Sequence, residues 1–140
     1  MIGVHVIVVD MDKTALYKLA HILLNHSYTV SVRTSMQDVE KLLQLEQGFE
    51  LFDLVICNAD LPGLDITKFL ADVAVEREIP VIMMSVDGED SKVMEMIEGN
   101  CAAYYPKPIE EKDAKYLWQY VVRKRKVTKQ HLTSMAAAAA

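Results

Sequence analysis

The stretch Phe52-Asp53-Leu54-Val55-Ile56-Cys57-Asn58-Ala59-Asp60-Leu61-Pro62-Gly63 reads as a strand that ends in a turn. Leu54 to Cys57 is a continuous apolar run with β-branched residues, as in strands of a parallel sheet covered on both faces. Asn58 and Asp60 stand just past it, and Pro62-Gly63 supplies turn chemistry, for which an Asp is common in its own right. Four runs of the same kind flank it: His5–Val9, Thr29–Arg33, Val81–Ser85 and Ala103–Tyr105.

Helical patterns alternate with these runs. Thr14–Asn25 places Leu16, Leu19, Ala20, Leu23 and Leu24 at helical spacing, and Asp12 just before it suits an N-cap. Ser35 followed by Asp38 is a capping pattern for a second helix that ends before Gly48. Asp65–Glu76 carries Ile66, Phe69, Leu70 and Val73 on one face. Asp90 or Ser91 caps a short fourth helix with Gly99 as its stop, and Lys112–Lys126 forms a fifth. The alternation predicts an α/β domain, a doubly wound five-stranded parallel sheet flanked by helices, over residues 1–127. Residues 128–140 are expected to be a C-terminal tail, linker remnant followed by the tag-like run Met135 to Ala140.

In such sheets functional residues gather beyond the carboxyl ends of the strands. Those ends are Asp10-Met11-Asp12, Asn58, Ser85 and Tyr105-Pro106-Lys107, so an acid, an amide, a hydroxyl and an amine converge on one edge.

Composition narrows the function classes. No apolar run approaches the ~20 residues of a membrane span. Cys57 and Cys101 form no disulfide framework and suit a reducing compartment, so an intracellular setting, nucleus or cytoplasm, is expected. His5, His21, His26 and His131 have no zinc spacing with cysteine, and no metal site is expected. The net charge of −5 hides an asymmetry: all twenty Asp/Glu lie before residue 121, whereas Arg123, Lys124, Arg125, Lys126 and Lys129 follow it. An acidic body repels nucleic acid, so no direct nucleic-acid or membrane contact is expected of this domain. The basic run at 123–126 reads equally as a nuclear-import patch or as a helix end favoured by the dipole.

Four ordered motifs together resemble the receiver domain of two-component response regulators, over about residues 4–126: Val-Val-Asp at 8–10, the 52–63 stretch, Pro-Val-Ile-Met-Met-Ser at 80–85 and Tyr-Pro-Lys-Pro at 105–108. The resemblance implies the flavodoxin-like fold of CheY. Leu117 to Lys124 further resembles plant type-B regulators, which place a Myb-like DNA-binding domain downstream and act in cytokinin signalling, so the chain is expected to be the N-terminal regulatory part of a transcription regulator. It also implies that Asp10 is the first acid of the pocket, Ser85 the phosphate-binding hydroxyl, Lys107 the phosphate-binding amine and Tyr104 the switch aromatic. A cis bond between Lys107 and Pro108 is a further expectation from it.

Two positions depart from the family pattern. The phospho-acceptor position holds Asn58 in place of aspartate, and the second acid is Met11, with Asp12 the remaining acid of a degenerate pocket. An amide nitrogen is not the carboxylate nucleophile that forms an acyl phosphate, and a thioether is a soft ligand for Mg²⁺. The expectation is a pseudo-receiver without catalytic residues or cofactor, binding Mg²⁺ weakly or not at all, in which Lys107 pairs with Asp10. Its partners would be histidine-phosphotransfer proteins or other response regulators, with a homo- or heterodimer through the fourth helix, fifth strand and fifth helix. Trp118, Tyr104, Met84, Met94 and Met96 would supply apolar area there, though Met94 and Met96 equally suit the core. Two alternatives compete. One is a receiver phosphorylated on an unusual acceptor, Asp60 included; the other is a haloacid-dehalogenase-like phosphatase with Asp10 as nucleophile and Asp12 as acid/base.

Overall fold

The computed structural model describes residues 3–45, 48–86 and 90–125, with only the backbone of Asp90. The strands are β1 (His5–Val9), β2 (Thr29–Arg33), β3 (Leu54–Asn58), β4 (Val81–Ser85) and β5 (Ala103–Pro106). They form one parallel sheet in the order β2-β1-β3-β4-β5. This is the doubly wound arrangement the alternating pattern predicts. The order reverses beside β1, so the crevice at the carboxyl ends of β1 and β3 is the switch point where such sheets bind ligands.

The helices are α1 (Lys13–Asn25), α2 (Met36–Gln44), α3 (Ile66–Leu70), α4 (Asp90–Glu98) and α5 (Glu111–Ala114), the last followed after a turn by helical residues 118–125. Side-chain alternation along the strands splits the core in two. Ile7, Val9, Val55, Cys57, Val81 and Met83 pack with Val39, Phe69, Leu70 and Met96 on one face. Val6, Val8, Leu54, Ile56, Ile82 and Met84 pack with Leu16, Leu23, Ala114 and Leu117 on the other.

Capping follows the sequence at two helices. The Asp12 carboxylate accepts from the N–H groups of Thr14 and Ala15 at 3.1 and 3.2 Å, and Ser35 Oγ accepts from Asp38 N at 3.2 Å. Elsewhere the structure corrects the expectation. The stretch expected as one helix from Asp65 is α-helical only to Leu70 and continues as a wider π-turn over Ala71–Glu76, where the Asp72 carbonyl accepts from Arg77 Nη1 at 2.9 Å. The fourth helix does end before Gly99, as expected, and Asn100 one residue further on takes the left-handed conformation (φ 67°) that closes it. A Cβ at Gly99 would lie 2.7 Å from Leu70 Cδ1, so that side chain would have to shift.

The fifth helix is broken where an unbroken span was expected. Tyr28 Oη donates to the Ala114 carbonyl and accepts from Trp118 N, both at 3.0 Å, so a hydroxyl inserts where a Trp118-to-Ala114 bond would run. Met84 and Met96 are core residues, 2% and 0% exposed, and leave the expected contact face; Met94 remains on the surface. The basic residue Lys126, the 127/128 boundary and the tail lie outside the described residues.

Candidate functional site: a polar group at the carboxyl edge of the sheet

Each strand that ends at the switch point delivers one polar side chain there. Asp10 follows β1 and is 1% exposed, Asn58 closes β3 at 9%, and Ser85 closes β4 at 0%. Burial at this level demands hydrogen-bond partners, and all three side chains have them.

The Asp10 carboxylate is the hub. Its Oδ1 accepts from the backbone N–H of Asp12 and from Asn58 Nδ2, each at 3.0 Å. Its Oδ2 lies 2.5 Å from Lys107 Nζ, a short charge-assisted contact. The expected Lys107–Asp10 pair is therefore present. The Lys107–Pro108 bond is cis, as the resemblance implied.

The orientation of Asn58 follows from its surroundings. The backbone N–H of Asp60 can only donate, and it meets Asn58 Oδ1 at 3.0 Å. That contact turns the other end of the amide, the Nδ2 donor, onto Asp10.

Asp60 does more than the turn position suggests. Its carboxylate folds back over the edge: Oδ2 accepts from Ser85 Oγ at 2.9 Å, and Oδ1 meets Lys92 Nζ of α4. Lys92 holds the Asp60 carboxyl below the usual carboxylate range and Ser85 reinforces this, against a smaller opposing effect of burial. Sequence reasoning missed Lys92. Its signal is its place in the first turn of the helix that follows Ser85, over the same edge as Asp60.

The structure thus brings Asp10, Asn58, Ser85, Lys107, Asp60 and Lys92 into one connected group. Met11 stands apart at 59% exposure, and the Asp12 carboxylate caps α1. Tyr104 is half-buried and packs against the core face that holds Met83. Cys57 is wholly buried; burial pushes its thiol up to about 12, and the nearby Asp10 charge adds to the effect. Among the described residues no group of three or more His, Cys, Asp or Glu side chains is placed to hold a metal ion. No helix among them is long and apolar enough to cross a membrane.

Comparison with known proteins agrees with this geometry. The family described as "Response regulator receiver domain" matches residues 6–117. Two-component response regulator ARR11 of Arabidopsis thaliana is 39% identical over 124 residues, 89% of this chain and 23% of that protein. ARR14 of the same plant is 38% identical over 136 residues, 96% of this chain and 35% of that protein. The chain therefore spans about a quarter to a third of the length of these relatives. Among solved structures, a CheY-like receiver domain protein from Methanospirillum hungatei superposes with a TM-score of 0.74 at 19% identity, covering 88% of this chain and 97% of its own. Full-length FixJ from B. japonicum superposes with a TM-score of 0.76 at 20% identity, covering 99% of this chain and 68% of its own. This chain belongs to the response-regulator receiver domain family, and it is similar in sequence to two-component response regulators of plants.

Proposed function

We propose that this domain is a pseudo-receiver: it takes part in a plant-like phosphorelay through protein contacts and carries no aspartyl phosphate. The observation that carries the reading is the amide of Asn58, at the family's acceptor position, donating to Asp10 at 3.0 Å. An acyl phosphate forms by attack of a carboxylate oxygen, and this position offers a neutral amide whose N–H and carbonyl oxygen are both already engaged.

The donor set argues in the same direction for the metal. Mg²⁺ requires near-octahedral oxygen ligands at about 2.0–2.1 Å. Asp10 Oδ1 is engaged by two N–H donors and Oδ2 by the Lys107 ammonium, while Asp12 is spent on its cap. These residues fit a lysine ammonium and do not fit the ion. A pocket with one carboxylate facing one ammonium is already neutral.

The natural partners of such a domain are histidine-phosphotransfer proteins or other response regulators. The contact face is α4, β5 and the C-terminal helix, where Met94 is 53% exposed and Ile97 56%. The site lies in the nuclear or cytoplasmic compartment where those proteins work, and the downstream output is transcription in a cytokinin-type pathway.

The test is phosphotransfer from a charged histidine-phosphotransfer protein. The unaltered domain and Asn58→Asp alone should accept little or no label, and Met11→Asp with Asn58→Asp far more, because nucleophile and metal site act as a unit. Stoichiometric, hydroxylamine-labile label on the unaltered domain overturns the reading.

A further inference from the structure

Asp60 lies in the loop after β3, two residues beyond Asn58, and each of its carboxylate oxygens is committed. Oδ2 accepts from the hydroxyl of Ser85, at the end of β4 and fully buried, and Oδ1 meets the ammonium of Lys92 on α4. Its backbone N–H is in turn held by Asn58 Oδ1 at 3.0 Å. The contacts therefore form one chain: Lys107 to Asp10, Asp10 to Asn58, Asn58 to Asp60, and Asp60 to both Ser85 and Lys92.

A carboxylate offers two anionic oxygens a little over 2 Å apart, so it can serve a hydroxyl and an ammonium at once. It thereby links three elements that are separate in sequence: the β3 loop, the end of β4 and the first turns of α4. A second tie runs parallel to it, from Thr67 Oγ1 on α3 to Glu95 on α4 at 3.0 Å. The outer surface of α4 carries Met94 and Ile97, so whatever fixes α4 fixes how that apolar pair is presented.

We propose that Asp60 is a built-in anionic ligand of this pocket, a clamp that holds the Ser85 hydroxyl and α4 in one arrangement without any added phosphoryl group. The inference rests on the pseudo-receiver reading for its purpose, since a domain that receives no phosphoryl group needs an internal anion to set the position of α4. Its geometry stands independently. The Asn58 amide is part of the device: its oxygen positions the Asp60 backbone while its nitrogen satisfies Asp10, and an ionised aspartate at that position could accept from Asp60 but could not donate to Asp10.

Amide hydrogen exchange on the intact chain tests this without any phosphodonor. In Asp60→Ala, exchange of residues 91–98 should rise about tenfold, the scale of a lost charge-assisted hydrogen bond, while β1 and α1 stay unchanged. Asp60→Asn keeps an acceptor for Ser85 and loses the ion pair, so it should fall between. Lys92→Met removes the same ion pair and should loosen 91–98 about as much as Asp60→Asn. Unchanged exchange in Asp60→Ala overturns the clamp, as does a uniform rise across the whole sheet, which would mark a general stability role. Phosphotransfer to the unaltered domain bears on the pseudo-receiver reading alone; the exchange pattern decides the clamp whichever way that experiment falls.

Discussion

Asn58 donates its side-chain amide to Oδ1 of Asp10 at 3.0 Å, inside a group whose other members leave both residues less than a tenth exposed. Replacing Asn58 by aspartate exchanges a donor for an anion at that distance. Two carboxylates so close cannot both ionise freely, and the pair titrates with one value strongly raised. A carboxyl with a raised folded value stabilises fully below its unfolded value, near 4, and that stability is lost as pH rises. Asn58→Asp should therefore cost about 1–3 kcal/mol at pH 7 and much less at pH 4. Urea unfolding at the two pH values checks this, and equal losses at both would contradict it.

The Lys107–Asp10 pair answers to a different substitution. Asp10 is 1% exposed and Lys107 11%, so neither charge is screened well by water. Lys107→Met strips the carboxylate of its counter-charge and should destabilise by about 3–5 kcal/mol. Adding Asp10→Asn removes the orphaned charge and should restore most of the loss. A double-mutant cycle by chemical denaturation measures the coupling, which should be well above the ~0.5 kcal/mol of independent sites.

Tyr28 reaches across the domain to the break in the C-terminal helix. Tyr28→Phe keeps the ring in its buried place and removes only the hydroxyl, leaving the Ala114 carbonyl and the Trp118 N–H without it. The expected cost is about 1–3 kcal/mol, with faster amide exchange at Trp118. A stability within 0.3 kcal/mol of the parent, on the order of the error in such comparisons, would mean the helix closes over the gap.

Cys57 should behave as an inert thiol. It is fully buried and its value is raised to about 12, so at pH 8 it stays protonated and inaccessible. Alkylation followed by peptide mass analysis should modify it only after unfolding in denaturant. The raised value also sets a sign: the contribution to stability is complete below about 8.5, the unfolded value, and disappears as pH climbs towards 12.

Much of the architecture was legible because strands buried on both faces leave unbroken apolar runs, as at His5–Val9 and Val81–Ser85, while the half-exposed edge strand Thr29–Arg33 shows instead as alternating valines; all three appear in the structure with those bounds. The capping residues Asp12 and Ser35 were legible for a local reason, since a cap is written within three residues of its helix. The break after Ala114 was not, because it is made by Tyr28, 86 positions earlier in sequence. The same limit applied at the site. Strand order told that Asp10, Asn58, Ser85 and Lys107 would meet, but the backward fold of Asp60 depends on Lys92, 32 positions away on α4, which no local pattern announces. Met94 and Met96 differ by two positions on one helix, and only packing assigns the first to solvent and the second to the core.

In a pseudo-receiver nothing bound at this pocket moves the domain. Shifting a two-state equilibrium from 1:99 to 99:1 takes about 5.5 kcal/mol of differential binding, which only a tightly held ligand supplies. Asp10 is neutralised by Lys107, Asn58 offers a donor, and Ser85 is already held by Asp60. The most direct measurement is a pair of amide NMR spectra, recorded with and without Mg²⁺ plus beryllofluoride, the phosphoryl mimic. The resonances of Ser85, Tyr104 and Lys107 should stay in place. Widespread shifts across residues 85–107 would contradict it.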